Sequence, residues 1–539
     1  MDHPTAFRGP FRTDRLACEA YSESAGILQV IPAAVAVPED ADDLAVLCAW
    51  ASRMGVALIP RGSGSSMAGG AVGPGVVVDL HRFAEAPSID PTWARARAGA
   101  AVTRAHVDAA ARAHGLRFPV DPSSGAFCTI GGMVACNAAG ARTLAFGATR
   151  PWVQSIDCVF ADGSRARISR GATPRSSDPP VLRRWWRLSD SLRRTAAALP
   201  TPAVRKQSSG YGVHDFARTG DLVDLLVGSE GTLAFFTAIE LSLAPLPGAT
   251  ATLLGAWDSI EGAVFASGLA REAGAVACEL LDATFLRVAA RGRSLPVDAT
   301  SESVLLVELE AGDATDAMAR GQALARAWQR AGATTVHVGF DPESEEALWA
   351  LRHAASPILA RLDPHIRSMQ IVEDGCVPPA QLAAYQRGVR QALADAGLEG
   401  VIFGHAGDAH LHVNALVDTR TATWHQQIRA LFAEVVRLTR ALGGTMAGEH
   451  GDGRLRTPVL GDFWSDAGLE AFRQVKETFD PAGLLNPGVK TGRGPDGLGA
   501  VKYDPARPAL APHVRAMLDR VEVERRWNEL RLELLDSTG

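Results

Sequence analysis

The stretch 401–416, Val-Ile-Phe-Gly-His-Ala-Gly-Asp-Ala-His-Leu-His-Val-Asn-Ala-Leu, crowds three imidazoles and an amide into a short span. Its apolar run Val401–Phe403 reaches Gly404-His405, turns through Gly407-Asp408, then alternates as His410-Leu411-His412-Val413-Asn414. Alternation with period two predicts a strand with His410, His412 and Asn414 on one face. Gly-Asp supplies turn chemistry, so the piece reads as a hairpin with His405 near its mouth. A second cluster, Gly448-Glu449-His450-Gly451-Asp452-Gly453, sets a carboxylate and an imidazole among glycines that let the backbone approach a ligand. Neutral imidazoles plus one carboxylate are a donor set for Zn2+ or Mn2+, with positions left open for water or substrate. Spacing alone also allows a strand of unrelated polar residues, because the chain holds 14 histidines and this is no CxxC-type signature.

The elements that must hold these groups belong to a large chain. At 539 residues it is long enough for two or three domains with substantial cores. Hydrophobic content of 47% and charged content of 21% describe a globular protein. A net charge of −6 gives no electrostatic case for nucleic acid. Seven cysteines are scattered and never in CxxC spacing, which fits a reducing compartment and argues against iron–sulfur or zinc-ribbon ligation. No apolar run reaches the length of a transmembrane segment, and Met1-Asp2-His3-Pro4 does not open a signal peptide. The expected location is cytoplasmic.

Residues 1–30 read as a polar lead-in. Helical spacing over 41–54, capped by Asp40 or Asp42, precedes a buried strand at Val56–Ile59 and another at Val76–Leu80. Between those strands lies Pro60-Arg61-Gly62-Ser63-Gly64-Ser65-Ser66-Met67-Ala68-Gly69-Gly70, which reads as a nest of N–H groups and hydroxyls for a diphosphate. It is neither GxxxxGK[ST] nor GxGxxG opening a helix, so P-loop and Rossmann sites are disfavoured. A second small-residue loop spans 121–140, and strands are expected at 155–160 and 234–244. The Pro-, Arg- and Ser-rich residues 171–203 read as an excursion or partly mobile insert. From 250 onward, strands at 251–256, 304–310 and 335–339 alternate with helices at 259–273, 313–332 and 343–361, in a ferredoxin-like order. Met369–Val377 and the 401–416 hairpin complete the sheet. Helices 379–397 and 423–442 cover it, a helix at 464–479 follows, and a charged tail at 498–539 carries an amphipathic helix over 510–535.

Taken in order, PRGSGSSMAGG, DPSS, CTIGGMVACNAAG, SGYG, VGSEGTLA, GHAGDAHLHVN, GEHGDG and FDPAGLLNPG form a pattern. It resembles the FAD-dependent 2-hydroxy-acid dehydrogenases of the vanillyl-alcohol-oxidase / p-cresol-methylhydroxylase superfamily, near the D-lactate, glycolate and D-2-hydroxyglutarate dehydrogenases, over roughly residues 14–490. The resemblance implies an α+β protein: a two-lobed FAD-binding domain of the p-cresol-methylhydroxylase type and a ferredoxin-like substrate domain. The expected divisions are a lead-in (1–29), the FAD domain (30–248), the substrate and metal domain (249–478), a segment returning to the flavin (479–497) and the tail (498–539).

The same resemblance implies site residues. Arg61, Gly62, Ser63, Gly64, Met67, Ala68, Asp121, Ser123, Thr129, Gly131 and Gly132 would hold FAD, with Glu230, Gly231 and Asn486 near the flavin. Residues 60–70 contain no His or Cys for a covalent flavin link, so FAD is expected to be dissociable, although Cys128 stands near the second loop. His405, His412 and Glu449 would bind the divalent ion, Zn or Mn. His410 would be a further ligand, a base or a polar wall. Asn414 would contact the substrate, His450 would act as base, Arg352 would clamp the substrate carboxylate, and Ser356 matches a hydroxyl position. Val372 stands where some relatives have a Lys, which points away from a dicarboxylate.

Together these parts imply oxidation of a small D-2-hydroxy acid by hydride transfer to FAD, assisted by the ion. The electrons would leave to an electron-transfer protein, a quinone or an iron–sulfur subunit. A metal-independent flavin alcohol or sugar oxidase and a flavin-binding subunit of a larger redox complex are the competing classes.

Overall fold

The computed structural model describes residues 3–291, 295–353, 365–492, 496–532 and 535. Among them, helices and three main sheets make an α+β protein. The first sheet orders Phe11–Arg12, Ala34–Ala36, Val76–Asp79 and Leu58–Arg61, with the last three strands parallel. Helix Ala41–Met54 packs on it, opened by Asp40, whose side chain accepts from Asp43 N as a helix cap should. The second sheet is antiparallel and orders Ser88–Asp90, Arg95–Gly99, Phe235–Ser242, Val153–Val159 and Arg165–Ser169.

The third sheet runs Thr335–Gly339, Ala249–Trp257, Ser303–Ala311, Ala277–Asp282, Glu399–His405, His410–Asp418 and Ile366–Met369, antiparallel throughout. Its first four strands stand in the 4-1-3-2 order of a ferredoxin-like unit, and the hairpin extends that unit past its edge. Alternate side chains feed two cores. Leu253, Leu305 and Val307 pack with Trp257 and Trp328 on one side. Leu254, Val304 and Leu306 pack on the other with Phe285, Leu348 and Leu351.

Several expectations need correction. Residues 171–203 contain the helix Pro180–Ala197, which buries Val181, Leu182, Trp185, Leu192 and Ala196; Trp185 meets Phe216 edge-on and Phe479 at a tilt. Its apolar face is hidden in the sequence by intervening arginines. The lead-in is not simply polar, because helix Arg15–Ala20 and Tyr21 are packed and Glu23 is buried. Met369–Val377 is no continuous strand: Ile366–Met369 pairs with the end of the hairpin, Gly375–Cys376 pairs near its start, and the chain bends between them at Glu373-Asp374. The strand Ala277–Asp282 was not foreseen. The helix expected over 343–361 is seen as Pro342–His353; its remainder and Ser356 lie outside the described residues. The helix expected over 510–535 ends at Glu524, where Arg525 takes a left-handed conformation (φ 56°).

Candidate active site

Register brings the site together. In the hairpin His405 lies opposite His410 and Phe403 opposite His412, so these side chains share one face. The turn is a single 3-10 turn, Ala406–Asp408, and its left-handed residue is Ala409 (φ 55°) rather than a glycine. Gly407 serves packing instead: a Cβ there would meet Leu144 at 2.8 Å. Next to the hairpin, Leu280 pairs with Gly404, which sets Glu279 beside His405. The loop 448–453 is hung from Asp374, whose carboxylate accepts from Glu449 N (3.1 Å) and His450 N (2.9 Å). Arg456 ties that carboxylate and its neighbour Glu373 in place.

Three acceptor atoms converge in this face. Nε2 of His405 and Nε2 of His412 are 3.2 Å apart, and each is 3.4 Å from Glu449 Oε1. His405 donates from Nδ1–H to Glu279 Oε1 (2.5 Å) and His412 donates from Nδ1–H to the Glu373 carbonyl (2.8 Å). Neutral rings held in those tautomers point two lone pairs at each other and at a carboxylate. A cation between them removes the repulsion. Zinc–nitrogen bonds of about 2.0–2.1 Å place tetrahedral ligand atoms about 3.3–3.4 Å apart, close to the spacing found. The donor set therefore fits a divalent ion. Without one, a proton takes that place. Burial alone would lower His405, but the charge of Glu279 outweighs it and raises the imidazole to about 9.

The surroundings complete the group. Lys206, buried, donates to Glu449 Oε2 at 2.9 Å and leaves Oε1 to the two rings. His410 donates from Nε2 to Asp374 Oδ1 (2.9 Å), burial pushes it down to about 3, and its Nδ1 has no partner. Its ring lies against Gly448, where a Cβ would stand 2.9 Å from it. His450 gives Nδ1–H to Glu373 Oε2 at 2.6 Å. Burial opposes its charge, but Glu373, Asp374 and Glu449 prevail and hold it up to about 9. The neutral imidazole expected for a base thus requires positive charge to balance those acids. Arg352 donates from Nε to Glu279 Oε2 (2.7 Å) and lies over the Phe403 ring. Asn414 accepts from Ser368 Oγ (3.1 Å) through its carbonyl, which leaves the amide hydrogens available.

All of this opens onto one cleft of about 2100 Å³. Arg352, Asn414, His405, His412, Glu449 and His450 line one end. Arg61, Gly62, Ser63, Gly64, Met67, Asp121, Ser123, Thr129, Gly131, Gly132, Glu230 and Gly231 line the rest. The two loops form a continuous wall, since a Cβ on Gly62 would stand 2.5 Å from Thr129 Oγ1. A buried donor, Arg61 Nη2, has no partner among the described residues. Small residues, hydroxyls and a guanidinium anchored through Nη1 on the Glu23 carbonyl (2.8 Å) with Nη2 left over suit a dinucleotide with a diphosphate. Two expected residues stand behind the wall. Ala68 is fully buried, and Asn486 donates to the carbonyls of Gly70 and Glu230 (both 2.8 Å), so it supports the wall rather than forming its surface. The carboxylates of Glu230 and Asp121 are also engaged: Glu230 accepts from Asp452 N (2.8 Å) and pairs with Lys490 (3.0 Å), and Asp121 pairs with Arg142 (2.5 Å).

Sequence reading missed Glu279, Lys206 and Arg456, and passed over Glu373 and Asp374 as strand residues. A carboxylate inside the apolar strand Ala277–Asp282 was the available signal, because a charge is buried only with a partner.

Comparison with known proteins agrees with this geometry. Residues 32–169 match the "FAD binding domain" model and residues 246–489 match "FAD linked oxidases, C-terminal domain". The glycolate oxidase subunit GlcD of Escherichia coli K12 is 30% identical over 464 residues, 85% of this chain and 83% of that protein. The D-lactate dehydrogenase of Archaeoglobus fulgidus is 28% identical, over 84% and 90%. In fold, the chain is similar to a 4-ethylphenol oxidase from Gulosibacter chungangensis, with TM-score 0.65 and 15% identity over 90% of this chain and 94% of that one. The sheets, the cleft and these likenesses converge on the p-cresol-methylhydroxylase type of FAD-binding fold, and the chain belongs to the FAD-linked oxidase family.

Proposed function

We propose that the protein is a flavin-dependent dehydrogenase that oxidises a small D-2-hydroxy acid, lactate- or glycolate-like, to the 2-oxo acid. In this reading FAD is held without a covalent link, and His405, His412 and Glu449 hold a divalent ion, zinc or manganese. The observation that carries it is the convergence of three acceptor atoms, two of them fixed by their tautomers, at the substrate end of a flavin cleft. When bound, FAD supplies the hydride acceptor and the ion lowers the pKa of an oxygen it binds.

The chain's own residues supply position and a proton path. Arg352 binds the substrate carboxylate with a guanidinium whose orientation is set by Glu279 and by Phe403. Asn414 donates to the substrate from the amide that Ser368 leaves available. His450, neutral once the charge of a bound ion balances the surrounding acids, takes the hydroxyl proton at Nε2, because its Nδ1 is committed to Glu373. Trp349 and Phe403 wall the cleft and exclude water. The electrons pass to an acceptor outside the chain: an electron-transfer protein, a quinone or an iron–sulfur subunit. All seven cysteines are free, and no helix among the described residues is long and apolar enough to cross a membrane. A cytoplasmic location is part of the proposal, since scattered cysteines suit a reducing compartment.

Dye-coupled turnover with a panel of 2-hydroxy acids, beside elemental analysis, tests the reading. Turnover with D-lactate- or glycolate-like acids and about one equivalent of zinc or manganese per chain is expected. Full activity in metal-free protein would replace it by the metal-independent oxidase.

A further inference from the structure

The family match in the C-terminal half stops at residue 489, yet the chain beyond it is folded over the cofactor cleft. Its first anchor is beside the lead-in, where Gln29 N donates to Ala500 O and Lys502 N to Ile27 O, both at 2.8 Å. Its second is the helix Pro512–Glu524. Val514 and Leu518 of that helix, with Leu530 and Leu532 beyond it, pack on Ala17, Tyr21, Val35 and Ile59 of the first lobe. Glu522 joins the anchors by accepting from Lys502 (2.9 Å) and Tyr503 (3.0 Å).

Between the anchors the inner surface faces the cleft, and its tip reaches the second cofactor loop. Val521 and Trp527 pack on Phe127. Arg525 donates to the Ser123 carbonyl at 2.9 Å and lies 5.1 Å from the Phe127 ring centroid. The neighbouring cations are neutralised: Arg515 pairs with Glu23 and Lys502 with Glu522. Arg525 lines the cleft and has no carboxylate partner among the described residues. Burial lowers its pKa, with no acid raising it. A guanidinium that lines the cleft and is held by a carbonyl and a ring face rather than by an acid keeps its charge and further N–H groups for an anion there.

We propose that residues 500–532 form a clasp over the cofactor cleft in which Arg525 binds the diphosphate part of FAD and slows its release. This rests on FAD occupying the cleft, as the family implies. Val521 and Trp527 hold the tip closed on Phe127, and the left-handed backbone at Arg525 turns the guanidinium inward from the end of the helix.

The test follows FAD release from the purified holoenzyme by the rise in flavin fluorescence after dilution. Arg525→Asn removes the charge but tolerates the left-handed backbone, and Val521→Ser loosens the end of the anchor helix where it packs on Phe127. Arg526→Asn, which loses only the pairs to Glu524 and Glu529, is the control. Release from Arg525→Asn should quicken on the order of tenfold, as for loss of one charge-assisted hydrogen bond. Val521→Ser should also release faster, while the control, the metal content and the thermal midpoint of the flavin-free Arg525→Asn protein stay at wild-type values. Wild-type release rates in both Arg525→Asn and Val521→Ser would overturn the clasp. Wild-type protein that neither carries nor takes up FAD would overturn the cofactor reading as well, and is recognised because no protein then shows release.

Discussion

Glu279 accepts from Arg352 Nε at 2.7 Å, and the acid's side chain is wholly buried while the arginine's is 12% exposed. The same carboxylate holds His405 Nδ1 through its other oxygen. One anion therefore sets both the Arg352 guanidinium and the His405 imidazole, the groups proposed to meet the substrate carboxylate and the ion.

Two substitutions separate these duties. Arg352→Lys keeps the charge but loses the planar fork, so KM for the 2-hydroxy acid should rise several-fold or more with metal content unchanged. Glu279→Gln should raise KM and lower metal content together. It also leaves Arg352 without its carboxylate and His405 with Glu449 alone, a loss of about 3–5 kcal/mol when a buried pair is broken. Steady-state kinetics beside elemental analysis distinguish them. A Glu279→Gln protein with full metal and unchanged KM would show that the bridge organises neither group.

Stability should carry the mark of the same acid. Burial alone would raise the Glu279 carboxyl, but His405 and Arg352 outweigh it and bring it from 4.5 to about 2. A group depressed in the folded state stabilises above its unfolded pKa, and that stability is lost as pH falls through the folded value. The thermal midpoint of Glu279→Gln should lie below wild type near neutral pH, and the gap should shrink steadily as the pH falls from 4.5 toward about 2. A gap that is constant over this range would assign the loss to shape rather than charge.

Ligand and base should come apart in the loop 448–453. Glu449→Gln keeps size and removes the negative donor, so metal and kcat should fall together while flavin content is normal. His450→Asn should keep its metal and lose on the order of 10²–10⁴-fold in rate, as for loss of a general base. The measurement is metal content, flavin absorbance and dye-coupled turnover on both proteins. If Glu449→Gln keeps its metal, the ion site is wrongly drawn.

Flavin should leave the denatured chain. The thiols lining the cleft are poor nucleophiles, since burial pushes Cys128 up to about 11 and Cys136 up to about 12. Acid precipitation should release intact FAD to the supernatant. Yellow colour retained in the washed pellet would show a covalent link.

Local order was legible in the sequence because it depends on neighbours. The period-two run His410–Asn414 gives the strand, and its register with Glu399–His405 puts the imidazoles on one face. Asp40 opens its helix as expected, the glycine and hydroxyl pattern of 60–70 forms a cleft wall, and the ordered motifs identify the family. Where apolar positions were diluted by arginines, as in Pro180–Ala197, the helix could not be read, because its face is defined by a core built from distant strands and helices.

The charges that tune the site were decided only by the tertiary structure. Glu279 lies 126 residues from His405, Lys206 lies 243 from Glu449, and Arg525 lies 402 from Ser123. No spacing rule links such positions. The sequence by itself determined which residues can coordinate, since donor type and strand periodicity are local properties. Which proton each imidazole keeps, which oxygen of Glu449 remains available, and which cation lacks a partner depend on groups joined only when the sheet and lobes close. Burial then makes each pairing matter, because an unpaired charge away from water is too costly to keep.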